Sequence, residues 1–238
     1  MKTLLAVPCM ASVPTKFLRC LEGLQRVPDT YTVITENTLI HDARNEIASI
    51  AITRGFDRVM WLDSDMSFES DLMVRLMQDM DELDAEIVSA VYFQRVPPAK
   101  PVIYDEFCKI SPSGEPLDSR SGRDDWLIRV NHYYDYPKNE LFRIAACGFG
   151  AVLTTVSLLK TVWDAYGPPF SFLRNLGEDM SFCWRVQDLG IPVWCDSRIP
   201  VGHVGQYVYT QETFEAYWPV DPPDGRDIQE KSQSGQNA

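Results

Sequence analysis

Basic residues are scarce in this 238-residue chain: 22 Lys and Arg stand against 34 Asp and Glu, a formal net charge of −12 at pH 7. That deficit argues against nucleic acid or an anionic membrane as the main partner, because both are held by clustered cations that displace counterions. An acidic protein that binds phosphate groups usually recruits a cation to do so. Paired cysteines are missing as well. The six, at positions 9, 20, 108, 147, 183 and 195, fall singly, with no C-x-x-C and no zinc-type spacing. Most lie inside apolar runs, as buried thiols do in a reducing compartment, so a cytoplasmic location is expected. No apolar run approaches the roughly 20 residues of a membrane span. The stretch Met1 to Cys9 superficially resembles a lipoprotein signal. Its apolar part is only about five residues and Pro8 stands where a small residue belongs, so a first strand is expected there. No Pro/Gly/Ser-rich linker divides the chain, and residues 1–218 are expected to form one domain of ordinary size. From 219 onward the sequence is polar, and a disordered tail is expected.

What is present is a regular alternation. Thr3 to Val7 reads as a buried strand ended by Pro8. Phe17, Leu18, Leu21 and Leu24 then fall at helical spacing within Pro14 to Val27. Thr30 to Thr35 is β-branched and aromatic, hence a second strand. A helix from Asp42 to Arg54 buries Ile47, Ile50 and Ala51 and stops at Gly55. Arg58 to Leu62 follows as a strand, then a helix carrying Leu72, Leu76 and Met80, then a strand from Glu86 to Val91. Strand and helix in turn predict an α/β fold, a parallel sheet with helices on both faces. Ligands of such sheets lie beyond the carboxyl ends of the strands. From 96 to 143 the pattern becomes Pro-rich and aromatic, with short candidate strands near Val102-Ile103-Tyr104 and Trp126-Leu127-Ile128. So long an irregular insert is expected to serve as a lid or acceptor region. Trp126, Tyr133, Tyr134 and Tyr136 are expected to fill its small core in preference to stacking on sugars. Regular structure resumes with a strand from Phe149 to Thr154 and helices from Val156 to Tyr166 and Gly177 to Leu189, and closes with a strand from Ile191 to Cys195.

The strand Arg58-Val59-Met60-Trp61-Leu62 ends abruptly in Asp63-Ser64-Asp65. Carboxylates at the end of a buried strand must be offset by water, a hydrogen-bond donor or a cation. A turn just past a strand can bring both toward one ligand, whereas an extended segment would point them apart. Hard oxygen donors suit Mg²⁺ or Mn²⁺, which keep coordination positions open for phosphate oxygens. For an arbitrary D-x-D the plain alternative is a solvated turn.

Two blocks in order carry a resemblance: the strand ending in Asp63-Ser64-Asp65, preceded by a helix bearing Arg44-Asn45, and much later Glu178-Asp179 with Arg185 and Gly190. Together they resemble the GT-A-type glycosyltransferases, and among them the family 2-like enzymes with their D-x-D and "ED" motifs. The resemblance covers roughly residues 1 to 95 and 145 to 205. It implies the GT-A, or nucleotide-diphospho-sugar transferase, fold, with a Rossmann-like, mostly parallel central sheet. It also implies a Mn²⁺ or Mg²⁺ cofactor, a nucleotide-diphosphate sugar donor with UDP or GDP, and a hydroxyl-bearing acceptor. Position by position it makes Asp65 a metal ligand and Asp63 a contact to the ribose or, through water, to the metal. Ser64 shares their turn. His203, after the last strand, completes the metal site. Asp179 becomes the general base of an inverting transfer, with Glu178 beside it binding acceptor hydroxyls or capping the helix. Pro8 and the loop after it, Arg44, Asn45 and Arg95 would face nucleotide or diphosphate. For Arg44 a solvated helix charge, and for Arg95 a surface ion pair, are equal alternatives. Arg185 is expected to be structural. The usual acid after the first strand is absent unless Glu36 replaces it, which leaves the base open.

Two rivals share part of this pattern. A haloacid dehalogenase-like phosphatase also has a strand followed by Asp-x-Asp, but there the first acid ends the first strand, whereas here the motif ends the third and Ser67 stands where Thr or Val is usual. A non-catalytic relative that binds nucleotide sugars or glycans would carry the same acids.

Overall fold

The computed structural model describes residues 1–117, 124–205 and 208–217. The polar tail expected to be disordered lies outside them. Strand β1 (Thr3–Pro8) leads through helix α1 (Thr15–Gly23), β2 (Thr30–Thr35) and α2 (Ile40–Thr53) to β3 (Arg58–Leu62). A turn carries the chain into the short β4 (Met66–Phe68), then α3 (Leu72–Leu83) and β5 (Ile87–Ala90). The insert holds β6 (Ile103–Ile110) and β7 (Leu127–His132), followed by β8 (Leu141–Ile144) and β9 (Ala146–Cys147). Beyond it come β10 (Ala151–Thr155), α4 (Val156–Tyr166), α5 (Glu178–Asp188), β11 (Val193–Asp196), β12 (Val201–Val204), β13 (Val208–Tyr209) and α6 (Gln211–Tyr217).

The central sheet runs β2-β1-β3-β10-β5-β11-β8. β2, β1, β3, β5 and β11 share one direction, while β10 is antiparallel to both its neighbours and β8 to β11. The expected alternation is therefore present, with one correction: the strand after the insert enters the sheet reversed. That reversal matters for the site. Because β10 runs against β3 and β5, its beginning meets their ends, and Asp63 donates its backbone N–H to the Gly150 carbonyl at 3.1 Å.

Alternating strand residues feed two apolar layers. Trp61 and Val59 pack with Ile47, Ala48, Ala51, Leu159, Val162 and Phe182 of α2, α4 and α5 on one face. Met60 and Leu62 pack with Phe17, Leu21, Leu72, Leu76 and Met80 of α1 and α3 on the other. Helices on both faces leave the strands' carboxyl ends as the open edge. Gly55, which closes α2, has φ +63°, a conformation that disfavours any side chain.

The insert is more regular than its sequence suggests. β6 pairs with β7 and with β9 in a second sheet, and its polar, uneven IYDEFCKI pattern hides an eight-residue strand. Tyr136 is buried, as expected of a core residue. Trp126, Tyr133 and Tyr134 are half-buried and pack against the main core. The third sheet, β13-β12-β4, has a consequence for function: its register sets His203 opposite Met66, and Val204 donates to the Asp65 carbonyl at 2.7 Å.

Candidate active site

Past β3 the chain turns at once, with Met66 N–H donating to the Asp63 carbonyl at 3.2 Å. The two acids part company within that turn. The Asp63 carboxylate accepts from Arg44 Nη2 at 2.7 Å, and the other arm of that guanidinium, Nη1, binds Glu178 at the start of α5. Arg44 is 2% exposed. Its guanidinium also lies over the Phe149 ring, 5.4 Å from the centroid. The sequence left Arg44 open between a nucleotide contact and a solvated charge. The structure puts it in neither place: it is a buried clamp that ties the strand-end acid to the first acid of the ED pair. Burial lowers the Arg44 pKa, but the charges of Asp63, Glu178 and Asp179 outweigh it and raise the pKa overall. Burial also raises the pKa of Asp63, despite its guanidinium partner.

Asp65 faces the other way, toward β12. His203 places Nδ1 2.8 Å from the Phe93 carbonyl oxygen. A carbonyl only accepts, so Nδ1 carries a hydrogen, and Nε2 faces Asp65 Oδ2 at 3.2 Å. A lone pair facing a carboxylate oxygen is repulsive unless a proton or cation lies between. A carboxylate paired with an imidazole whose far nitrogen is tethered to a backbone carbonyl is a donor set suited to Mn²⁺ or Mg²⁺. The residues therefore fit such an ion. Among the described residues no cluster of three acidic, imidazole or thiol ligands forms, and Asp63 is turned toward Arg44. Arg95, its side chain more than half exposed, reaches the same Asp65 oxygen at 2.5 Å. Burial raises the Asp65 pKa, but the hydrogen bond and charge of His203 and the charge of Arg95 outweigh it, and the net shift is downward.

These side chains border a cavity of about 300 Å³ lined by Pro8, Asp63, Ser64, Asp65, Arg95 and His203, together with Cys9, Met10, Thr38 and Ile40. Cys9 and Met10 belong to the loop after Pro8 already expected to face nucleotide, whereas Thr38 and Ile40 were not singled out from sequence. The available signal was position, since they follow β2 at the edge where ligands of such sheets sit. Asn45, one of the residues expected to face nucleotide, instead accepts the Phe170 N–H at 2.8 Å. Glu36 is exposed. Arg185 is buried and donates to the Pro169 carbonyl at 2.9 Å, a structural role as expected.

Asp179 occupies the first turn of α5, where its Oδ1 accepts its neighbour's N–H, that of Met180, at 2.7 Å. Burial foremost, then the Glu178 charge, push its pKa up to about 6, against the opposing pull of Arg44. A carboxylate so tuned is ionised at neutral pH yet a better proton acceptor than a free one. Glu178 is held by Arg44, with its side chain largely covered.

No protein-family model matches this chain, and no curated protein does. Solved structures do. The crystal structure of A197 from STIV superposes with a TM-score of 0.59 at 17% identity, over 86% of both chains. GalNAc-T7, solved with UDP, GalNAc and Mn²⁺, superposes with a TM-score of 0.53 at 13% identity, covering 93% of this chain and 45% of that one. This chain thus spans somewhat under half of GalNAc-T7. At these identities the likeness is one of fold, and the fold is the GT-A, nucleotide-sugar transferase architecture. No helix among the described residues is long and apolar enough to cross a membrane.

Proposed function

We propose that the protein is a metal-dependent glycosyltransferase, moving a sugar from a nucleoside-diphosphate donor to a hydroxyl acceptor with inversion. The observation that carries this reading is the Arg44 clamp. One buried guanidinium holds Asp63 and Glu178 together, residues 115 positions apart in sequence, so the acids of the strand end and of the α5 start belong to one site. That GalNAc-T7 was solved with UDP and Mn²⁺ supports the class of donor and of cation.

Asp65 and His203 would hold the cation, with Ser64 and Pro8 lining the same cavity. The ion, when bound, neutralises charge on the departing diphosphate, the main electrostatic demand of such a step. Arg95 lines the same cavity with an exposed guanidinium that would meet that diphosphate. Asp179 takes the proton of the acceptor hydroxyl as its oxygen attacks the anomeric carbon and the bond to the diphosphate breaks. A base on one side and a leaving group on the other describe direct displacement, hence inversion.

The test is a thermal-shift panel of nucleoside diphosphates and nucleotide sugars with and without Mn²⁺, since a ligand that binds only the folded state raises the melting point. A shift that requires the metal in wild type and disappears in Asp65→Asn is expected. Metal-dependent shifts that survive Asp65→Asn would remove that residue from the metal site, and no shift with any nucleotide would overturn the reading.

A further inference from the structure

Tyr92 follows β5 at the same open edge and is 5% exposed. Its ring meets that of His203 edge to face, 5.6 Å between centroids, and its carbonyl is fixed by the Val102 N–H at 2.9 Å. The ring packs against Gly148 and Gly150, just before β10. A Cβ added at Gly148 would fall 2.0 Å from the Tyr92 hydroxyl oxygen, and one at Gly150 would fall 2.9 Å from the ring. Both glycines therefore make room for this phenol, and one of them supplies the carbonyl that holds the Asp63 backbone. No described residue hydrogen-bonds the hydroxyl. Nor is that oxygen one of the sealed, partnerless atoms, a group that includes the Tyr136 hydroxyl. It is a polar atom on a nearly buried side chain, without a hydrogen-bond partner among the described residues and not wholly covered. Burial foremost, and then the charges of Asp63 and Asp179, raise its pKa, so the acids at both ends of the site lie within its electrostatic reach.

What spans those two ends, on the glycosyl-transfer reading above, is the sugar between the diphosphate and the attacking hydroxyl. We propose that the Tyr92 hydroxyl hydrogen-bonds a hydroxyl of the transferred sugar, making Tyr92 a residue that selects the donor's sugar and not its nucleotide. The ring's contact with His203 sets it on the leaving-group side of the site, which favours donor over acceptor. A cradle of two glycines fixes the phenol without using its oxygen.

The experiment compares wild type and Tyr92→Phe, with Mn²⁺, for binding of the free nucleoside diphosphate and of its hexose conjugate. Phe keeps the ring on Gly148 and Gly150, so the melting point without ligand is expected to be unchanged. Affinity for the diphosphate should be the same within twofold, while affinity for the conjugate falls roughly fivefold, as the loss of one neutral hydrogen bond implies. Deoxy-sugar donors give a second arm on the wild-type protein. One of them should show that same loss, and Tyr92→Phe should add nothing to it, since residue and hydroxyl form one contact. Equal changes for diphosphate and conjugate, no change for either, or a deoxy series without a weakened member would overturn the assignment of Tyr92 and leave the glycosyltransferase reading standing. Failure of the wild type to bind any nucleoside diphosphate would overturn both.

Discussion

Asp179 illustrates how one side chain's chemistry follows from its neighbours. Burial and the Glu178 charge raise its pKa to about 6 while Arg44 limits the rise. As a base it works only when ionised, so kcat should rise as pH climbs through about 6 and level off above it. A pH profile flat down to pH 5 would remove it from that role. Asp179→Asn cannot take a proton and should lose about 10²- to 10⁴-fold in transfer rate, with donor binding by thermal shift intact. Much of this residue was legible in the sequence, because two acids opening a helix after a glycine are visible as a motif. Asp63 and Asp65 were legible for a similar reason, an apolar strand that stops in carboxylates. The side chains each would pair with were not. Asp63 turns to Arg44 and Asp65 to His203, a split decided by partners 19 residues before one and 138 after the other. Tyr92 gave no local signal at all, since what marks it is the pair of glycines some 56 positions later that leave space for its ring.

At the scale of elements, Arg44 joins α2 to the end of β3 and the start of α5. Its side chain is 3% exposed, that of Glu178 14% and that of Asp63 26%. Removing the cation would leave two carboxylates facing each other in a poorly solvated place, and a broken buried pair of this kind costs about 3–5 kcal/mol. Arg44→Met should therefore lower the unfolding free energy by about that amount in urea titrations, with Arg44→Lys falling between. A loss below about 1 kcal/mol would show that water replaces the guanidinium. The helices themselves were readable from their apolar periodicity, and their ends came within a few residues of the expected positions. The direction of β10 was not readable, because an apolar five-residue strand looks the same run either way. Nor was the length of β6, where a register shift between Tyr104 and Glu106 and the consecutive exposed acids Asp105 and Glu106 break the alternation that marks a strand.

Across the whole molecule, acid side chains dominate the charge, and burial has moved several of them in one direction. Asp63, Asp79, Asp105 and Asp179 all have raised pKa values, while that of Asp65 is lowered. Asp79 is the most useful probe because it lies away from the cleft, on α3. It is 4% exposed, and Arg198 donates to it at 2.6 Å and to Asp196 at 2.8 Å. One guanidinium thus serves two carboxylates. Burial foremost, then the hydrogen bond and charge of Asp196, push the Asp79 pKa from 3.8 to about 7. The folded chain therefore keeps a proton that the unfolded chain releases near pH 4. This stabilisation is complete below about pH 4 and is lost as pH rises through about 7, with a ceiling of about 4 kcal/mol. Unfolding free energy measured in urea should accordingly fall between pH 5 and pH 8, the opposite of what a protein held by exposed carboxylate ion pairs would do. Asp79→Asn keeps a neutral hydrogen-bonding group there at every pH and should flatten that fall. An equally steep decline in the variant would assign the pH dependence to other groups and leave Asp79 ionised between Arg198 and Asp196.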